Sequence, residues 1–105
     1  MHFTSFLQDN RLTVLLTGEI DHHSAKQYIS AITGKIEAYT PKQCVLDFSD
    51  VVFMDSSGIA VVINALRNMN ALGGELTVSA PNNQVMKVFR ASGIEKLVKI
   101  KEVVQ

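Results

Sequence analysis

The sequence has 105 residues, of which 47% are hydrophobic, which is enough for a single domain over residues 1–105 with one core and too little for a second folded unit. Ten basic and ten acidic residues cancel to a formal net charge of +0, so we expect no direct nucleic-acid partner and no membrane surface, both of which select clustered positive charge. The start of the chain lacks a cationic segment followed by an apolar one, and the longest apolar run, Ile59–Ile63, is far too short to span a membrane, so a cytoplasmic protein is predicted.

Two segments separated by a turn-like pair open the chain. The weaker run His2–Gln8 and the β-branched run Arg11–Thr17 flank Asp9-Asn10, a pattern that predicts a β-hairpin. Gly18 is expected to end the second strand.

An amphipathic helix is predicted next, because apolar residues recur at steps of three and four. Its apolar positions are Ala25, Tyr28, Ile29, Ile32 and Ile36. Two starts remain open: Ser24 suits a capping box with Gln27, and Asp21 suits an earlier cap. Pro41 is expected to help end the helix.

A buried strand, Lys42–Phe48, follows and contains the single cysteine, Cys44. A buried, unreactive thiol is predicted there, and one cysteine excludes a disulfide within the chain.

A loop is expected over Ser49–Asp55. The second helix carries apolar residues at helical steps over Ile59–Leu72 and should end at Gly73-Gly74.

The rest of the chain predicts one more strand, helix and strand. Glu75–Ala80 forms the strand, Asn82 or Asn83 caps the helix, and Gly93 ends it before a last strand around Leu97–Ile100. The order ββαβαβαβ predicts an α/β fold, with a mixed, mostly parallel β-sheet flanked by α-helices and an antiparallel edge from the opening hairpin.

A polar cluster, Asp55, Ser56, Ser57 and Gly58, lies between the apolar pair Phe53-Met54 and the second helix. Strand-to-helix turns of α/β folds place unpaired N–H groups and partial positive charge at the edge of the sheet where ligands and partners usually bind. The cluster is explained either by helix capping, with glycine easing a tight turn, or by function. Because a cap needs one side chain, at least one hydroxyl is left free as a phosphorylation target.

Other chemistry is not expected. A nucleophile elbow needs a glycine before the serine, which Asp55-Ser56-Ser57-Gly58 lacks. His22 and His23 beside Asp21 diverge by about 100° around a helix and complete no metal site. Gly73-Gly74 is not followed by the lysine of a phosphate loop, so no cofactor is predicted.

The polar side of the second helix has two possible interpretations, a solvated face or a partner-docking face. Its residues are Asn64, Arg67, Asn68 and Asn70.

Two segments, Gly18–Ala25 and Phe53–Ile59, resemble the signature segments of STAS-domain anti-sigma factor antagonists, particularly the sporulation-type member. The glycine turns at Gly73-Gly74 and Ser92–Ile94 also resemble the family, so the similarity spans nearly the whole chain. The resemblance implies a mixed sheet flanked by helices and a protein that is not itself an enzyme.

The resemblance also implies a regulatory cycle. Ser56 would be phosphorylated by an anti-sigma factor that is a serine kinase, and a PP2C-type phosphatase would regenerate the unphosphorylated form. That form would bind the anti-sigma factor and free a sigma factor for transcription. The implied partner-binding residues are Asp21, Asp55, Ser56, Ser57 and Gly58.

Another STAS class is the main alternative, because a shared fold does not establish a shared function. A stressosome scaffold or an accessory subunit of a lipid-transport ATPase would have a similar fold. Stable self-assembly or co-purification with a membrane ATPase would favour those functions.

Overall fold

A computed structural model describes residues 3–102. The elements in chain order are β1 (Thr4–Gln8), β2 (Arg11–Ile20), α1 (His22–Tyr39), β3 (Gln43–Met54), α2 (Gly58–Ala71), β4 (Glu75–Ser79), α3 (Asn83–Ser92), a short 3₁₀ helix (Ile94–Lys96) and β5 (Lys99–Lys101). The predicted order ββαβαβαβ is confirmed.

The strands form one sheet in the order β1-β2-β3-β4-β5. β1 and β2 pair antiparallel, and the remaining neighbours pair parallel. Asp9 and Asn10 join the hairpin with φ angles of 52° and 64°, the left-handed geometry that two-residue hairpins favour. The predicted mixed, mostly parallel sheet with an antiparallel edge is therefore confirmed.

The core lies between one face of the sheet and the helices. Alternate residues of the central strands are buried: Leu12, Val14, Leu16, Cys44, Leu46, Phe48, Leu76 and Val78. Burial raises the pKa of the Cys44 thiol to about 12, so the thiol stays protonated at neutral pH. The predicted burial of Cys44 is confirmed.

Two predicted strand ends are wrong. Gly18 does not end β2, and the expected loop Ser49–Asp55 largely belongs to β3, which runs to Met54. Register shifts occur after Leu15 and after Gly18, and each leaves an extra residue in β3. Such bulges accept polar and turn-forming residues inside a strand, so the polar residues of this segment do not break the pairing.

The start of α1 decides between the two predicted caps. The Asp21 carboxylate accepts a bond from the Ser24 N–H at 2.9 Å, and the Ser24 hydroxyl accepts one from the Asp21 N–H at 3.0 Å. The capping box with Gln27 is therefore wrong, because the helix begins at His22 and Ser24 is its third residue. At the other end, Thr40 caps the helix and Pro41 follows it.

The later helix ends agree with the sequence. Gly73 has a φ angle of 70° after α2, and Gly93 has one of 78° after α3, in the left-handed region that favours glycine. Asn82, rather than Asn83, caps α3 by accepting a bond from the Val85 N–H at 2.9 Å. Within residues 3–102, no helix is both long and apolar enough to cross a membrane.

Candidate functional site

Two turns meet at the carboxyl ends of β2 and β3. Ile20 and Met54 are paired across these strands, so Asp21 and Asp55 follow neighbouring residues. The Asp55 N–H donates to the Ile20 carbonyl oxygen at 3.1 Å. The two segments that carry the family resemblance thus form one surface at the carboxyl ends of these two strands.

The side-chain bond in the turn before α2 comes from Asp55 rather than from a serine. Its carboxylate accepts a bond from the Ser57 N–H at 2.8 Å, while the Ser57 side chain makes no capping bond. Ser56 is exposed and Ser57 is half-buried. The structure of the turn therefore accounts for Asp55 and leaves the exposed Ser56 hydroxyl for another role.

Gly58 allows the first turn of α2 to lie against β3. A Cβ atom at this position would overlap the Sδ and Cγ atoms of Met54, whose side chain is fully buried. A side chain at position 58 would therefore push the turn that carries Ser56 away from the sheet.

We expect Gly58→Ala to lower the free energy of unfolding by about 1–3 kcal/mol, because the buried Met54 side chain has little room to move. Urea unfolding measures the change. The matched control is Gly34→Ala, an exposed position inside α1 where a Cβ meets nothing within 4 Å. That control should raise stability by about 0.5–1 kcal/mol. Equal shifts in both variants would contradict the steric explanation.

Asp21 adds negative charge beside this turn. The backbone N–H of Ser24 holds the pKa of the Asp21 carboxyl below its ordinary value, so the group stays ionised at neutral pH.

His23 lies one turn from Gln27, with 3.5 Å between their Nε2 atoms. No group of three or more metal-binding side chains occurs among the described residues 3–102.

A groove between α2 and α3 opens next to Ser56, and sequence reasoning missed it. It is lined mainly by apolar atoms of Ser56, Ile59, Gln84, Lys87, Val88, Ala91 and Ser92. Its walls come from residues about 30 positions apart, so periodicity within either helix gives no signal for it.

Gln84 contacts the turn directly. Its Oε1 atom accepts a bond from the Met54 N–H at 2.9 Å, and its Nε2 atom donates to the Met54 carbonyl oxygen at 2.7 Å. The sequence signal for this contact was weak, because it consisted only of a polar residue in the first turn of a predicted helix. The greater length of β3 is seen only in the structure.

The polar side of α2 is partly an internal contact. The Thr33 hydroxyl of α1 donates to the Asn64 side-chain oxygen at 2.9 Å, and Asn68 donates to the Thr33 hydroxyl at 3.0 Å. A purely solvated or docking face is therefore wrong for Asn64 and Asn68, which join the two helices. Arg67 and Asn70 are exposed.

We expect Thr33→Val to lower the free energy of unfolding by about 1–3 kcal/mol, because it leaves two half-buried amides without their shared hydroxyl. Thermal and urea unfolding measure the loss. Thr33→Ser retains the hydroxyl and should lose clearly less. A valine variant as stable as the serine variant would show that the network adds nothing.

Comparisons with known proteins agree on one family. The STAS domain family matches residues 6–105. An anti-sigma F factor antagonist of Lysinibacillus sphaericus is 32% identical over 95 residues, covering 90% of this chain and 81% of that protein. The unphosphorylated anti-sigma factor antagonist SpoIIAA has a TM-score of 0.85 at 27% identity, over 99% of this chain and 90% of that one. SpoIIAA of Bacillus in its phosphorylated form has a TM-score of 0.76 at 26% identity, over 99% and 93%.

Proposed function

The chain belongs to the STAS domain family, and we propose that it is an anti-sigma factor antagonist whose binding is switched off by phosphorylation of Ser56. The relatives named anti-sigma factor antagonists support the first part of the proposal. We further propose that residues 1–105 form one STAS domain, which the match over residues 6–105 supports.

The observation that carries the proposal is that Asp55 and Ser56 have different roles in the turn before α2. Asp55 stabilises the turn by accepting a bond from the Ser57 N–H, so the exposed Ser56 hydroxyl is not required for folding. The existence of SpoIIAA in a phosphorylated form supports phosphorylation as the reaction that uses such a hydroxyl.

A phosphate at Ser56 affects the fold and the interface differently. It adds about −1.5 to −2 charges at neutral pH next to the N-terminus of α2, where the helix dipole favours negative charge. The phosphate also lies beside Asp55, which follows the strand residue paired with Ile20, on a surface that a partner must desolvate. The phosphate is therefore tolerated by the antagonist and unfavourable in the complex.

The proposed partners follow from this cycle. The unphosphorylated form binds an anti-sigma factor serine kinase and frees a sigma factor for transcription, and a PP2C-type phosphatase restores that form. The partner-binding residues are Asp21, Asp55, Ser56, Ser57 and Gly58. The chain itself is a substrate and a ligand rather than an enzyme, it acts in the cytoplasm, and it needs no cofactor, nucleic acid or membrane.

Incubation with the cognate anti-sigma factor kinase and ATP tests the proposal. Intact mass should show one added phosphate, and peptide mapping should place it on Ser56. Ser56→Ala should abolish the reaction, whereas the adjacent Ser57→Ala should retain it. Stable binding without any modification would overturn the switch and favour a stressosome scaffold or a transport-ATPase subunit.

A further inference from the structure

We infer that Gln84 is a positioning residue for the turn that carries Ser56, a role that rests on the proposed function. Its carboxamide makes two hydrogen bonds to the main chain of Met54, at 2.9 and 2.7 Å. Met54 lies two residues before Ser56, and its own side chain packs under the start of α2. Gln84 thus holds the backbone from which the phosphoacceptor projects.

The need for this contact comes from the unequal lengths of β3 and β4. The two strands pair from Gln43↔Glu75 to Asp47↔Ser79, but β3 continues to Met54. Beyond the last pair, the main chain of β3 has no β4 residue opposite it on that side. Unpaired backbone groups of this kind are usually satisfied by other groups, because burying them without partners is costly.

The first turn of α3 supplies those groups. Asn82, which caps α3, donates from Nδ2 to the Val51 and Val52 carbonyl oxygens at 3.1 and 3.3 Å. Gln84 continues the same series at Met54 with both a donor and an acceptor, as a paired strand would. Two side-chain amides thus substitute for the missing continuation of β4.

Gln84 is placed to link this turn to α3. It is half-buried and lines the groove that also includes Ser56, with Val88 and Ala91 farther along α3. A change in the position of α3 would therefore alter the support of the Met54 backbone. Since phosphoryl transfer depends strongly on how the acceptor oxygen is positioned, the contact should affect turnover more than affinity.

Gln84→Met tests the inference, because methionine has a similar length and can form neither bond. The matched control is Asn83→Met, an exposed neighbour in the same first turn of α3. By NMR hydrogen exchange on the full chain, we expect the Met54 amide to exchange about tenfold faster in Gln84→Met than in the control, as expected for the loss of one hydrogen bond. Gln84→Glu keeps an acceptor for this amide but cannot donate to the Met54 carbonyl oxygen, so it should restore only part of the protection.

Kinetics with the anti-sigma factor kinase provide the second measurement. For Gln84→Met we expect kcat for Ser56 phosphorylation to fall about tenfold with KM nearly unchanged, because the acceptor is misplaced but the surface is retained. Met54 exchange or kcat equal to the Asn83→Met values would overturn the positioning role. If the wild-type chain is not phosphorylated at all, the proposed function fails, and the exchange result alone then decides whether Gln84 holds this turn.

Discussion

Ser56→Asp should lower affinity for the anti-sigma factor by about a hundredfold, whereas Ser56→Ala should bind at least as tightly as the wild type and remain bound in the presence of ATP. Placing a new charge beside Asp55, on a surface that must lose water on binding, is expected to cost about 3 kcal/mol, which corresponds to roughly a hundredfold in the dissociation constant. Isothermal titration calorimetry with the purified anti-sigma factor measures both variants.

The control separates a local charge effect from a change in net charge. Ser30 is an exposed serine of α1, so Ser30→Asp adds the same charge to a chain whose formal net charge is +0. Its affinity should stay within about twofold of the wild-type value, as exposed distant charges are screened by salt. Tight binding by Ser56→Asp, together with weak binding by the enzymatically phosphorylated protein, would show that aspartate is a poor mimic. Tight binding by both would refute the charge mechanism.

The same variants should hardly affect folding. Ser56 is exposed and the side-chain bond in the turn before α2 comes from Asp55, so neither alanine nor aspartate at position 56 removes that bond. Surface substitutions of this kind usually change stability by less than about 0.5 kcal/mol. A switch of binding with little change in the melting temperature is therefore the expected signature.

Helix positions were predictable because local rules and tertiary packing agree there. The apolar stripe of α2 was visible as steps of three and four, and its buried residues include Val62 and Met69. Gly73 and Gly93 end their helices in left-handed geometry, which is a local property of the sequence. The parallel sheet also made it possible to expect ligands or partners at the turn before α2.

The predictions failed where distant residues decide the structure. Ser49 and Asp50 have turn propensity, yet pairing with β2 keeps them in a bulged strand. Asn64 is polar on a helix surface, but Thr33 of another helix gives it an internal partner. The bond between Gln84 and Met54 joins residues 30 positions apart, and no periodicity within one element reports such a contact.

Phe89→Ala should produce the largest loss of stability, about 3–5 kcal/mol, because it removes a fully buried ring from the contact between α3 and the sheet. The rings of Phe89 and Phe48 meet edge to face, with centroids 5.5 Å apart and planes at 76°. Domains of this size are stable by only about 5–15 kcal/mol, so the variant loses a large share of the total. Urea unfolding monitored by circular dichroism measures the change.

Two substitutions separate the loss of the ring from other effects at this end of α3. Phe89→Leu keeps most of the apolar volume and should lose roughly half as much stability. The neighbouring Arg90 is exposed, and its ion pair with Glu102 spans 4.0 Å at the surface, so Arg90→Ala should change stability by less than about 1 kcal/mol. Since α3 carries Gln84, Phe89→Ala should also speed exchange of the Met54 amide under conditions where the variant is still folded. If the Met54 amide still exchanges slowly in a folded Phe89→Ala protein, the hydrogen bonds of Asn82 and Gln84 are sufficient to hold the first turn of α3. The contact between Phe89 and Phe48 would then not be needed there.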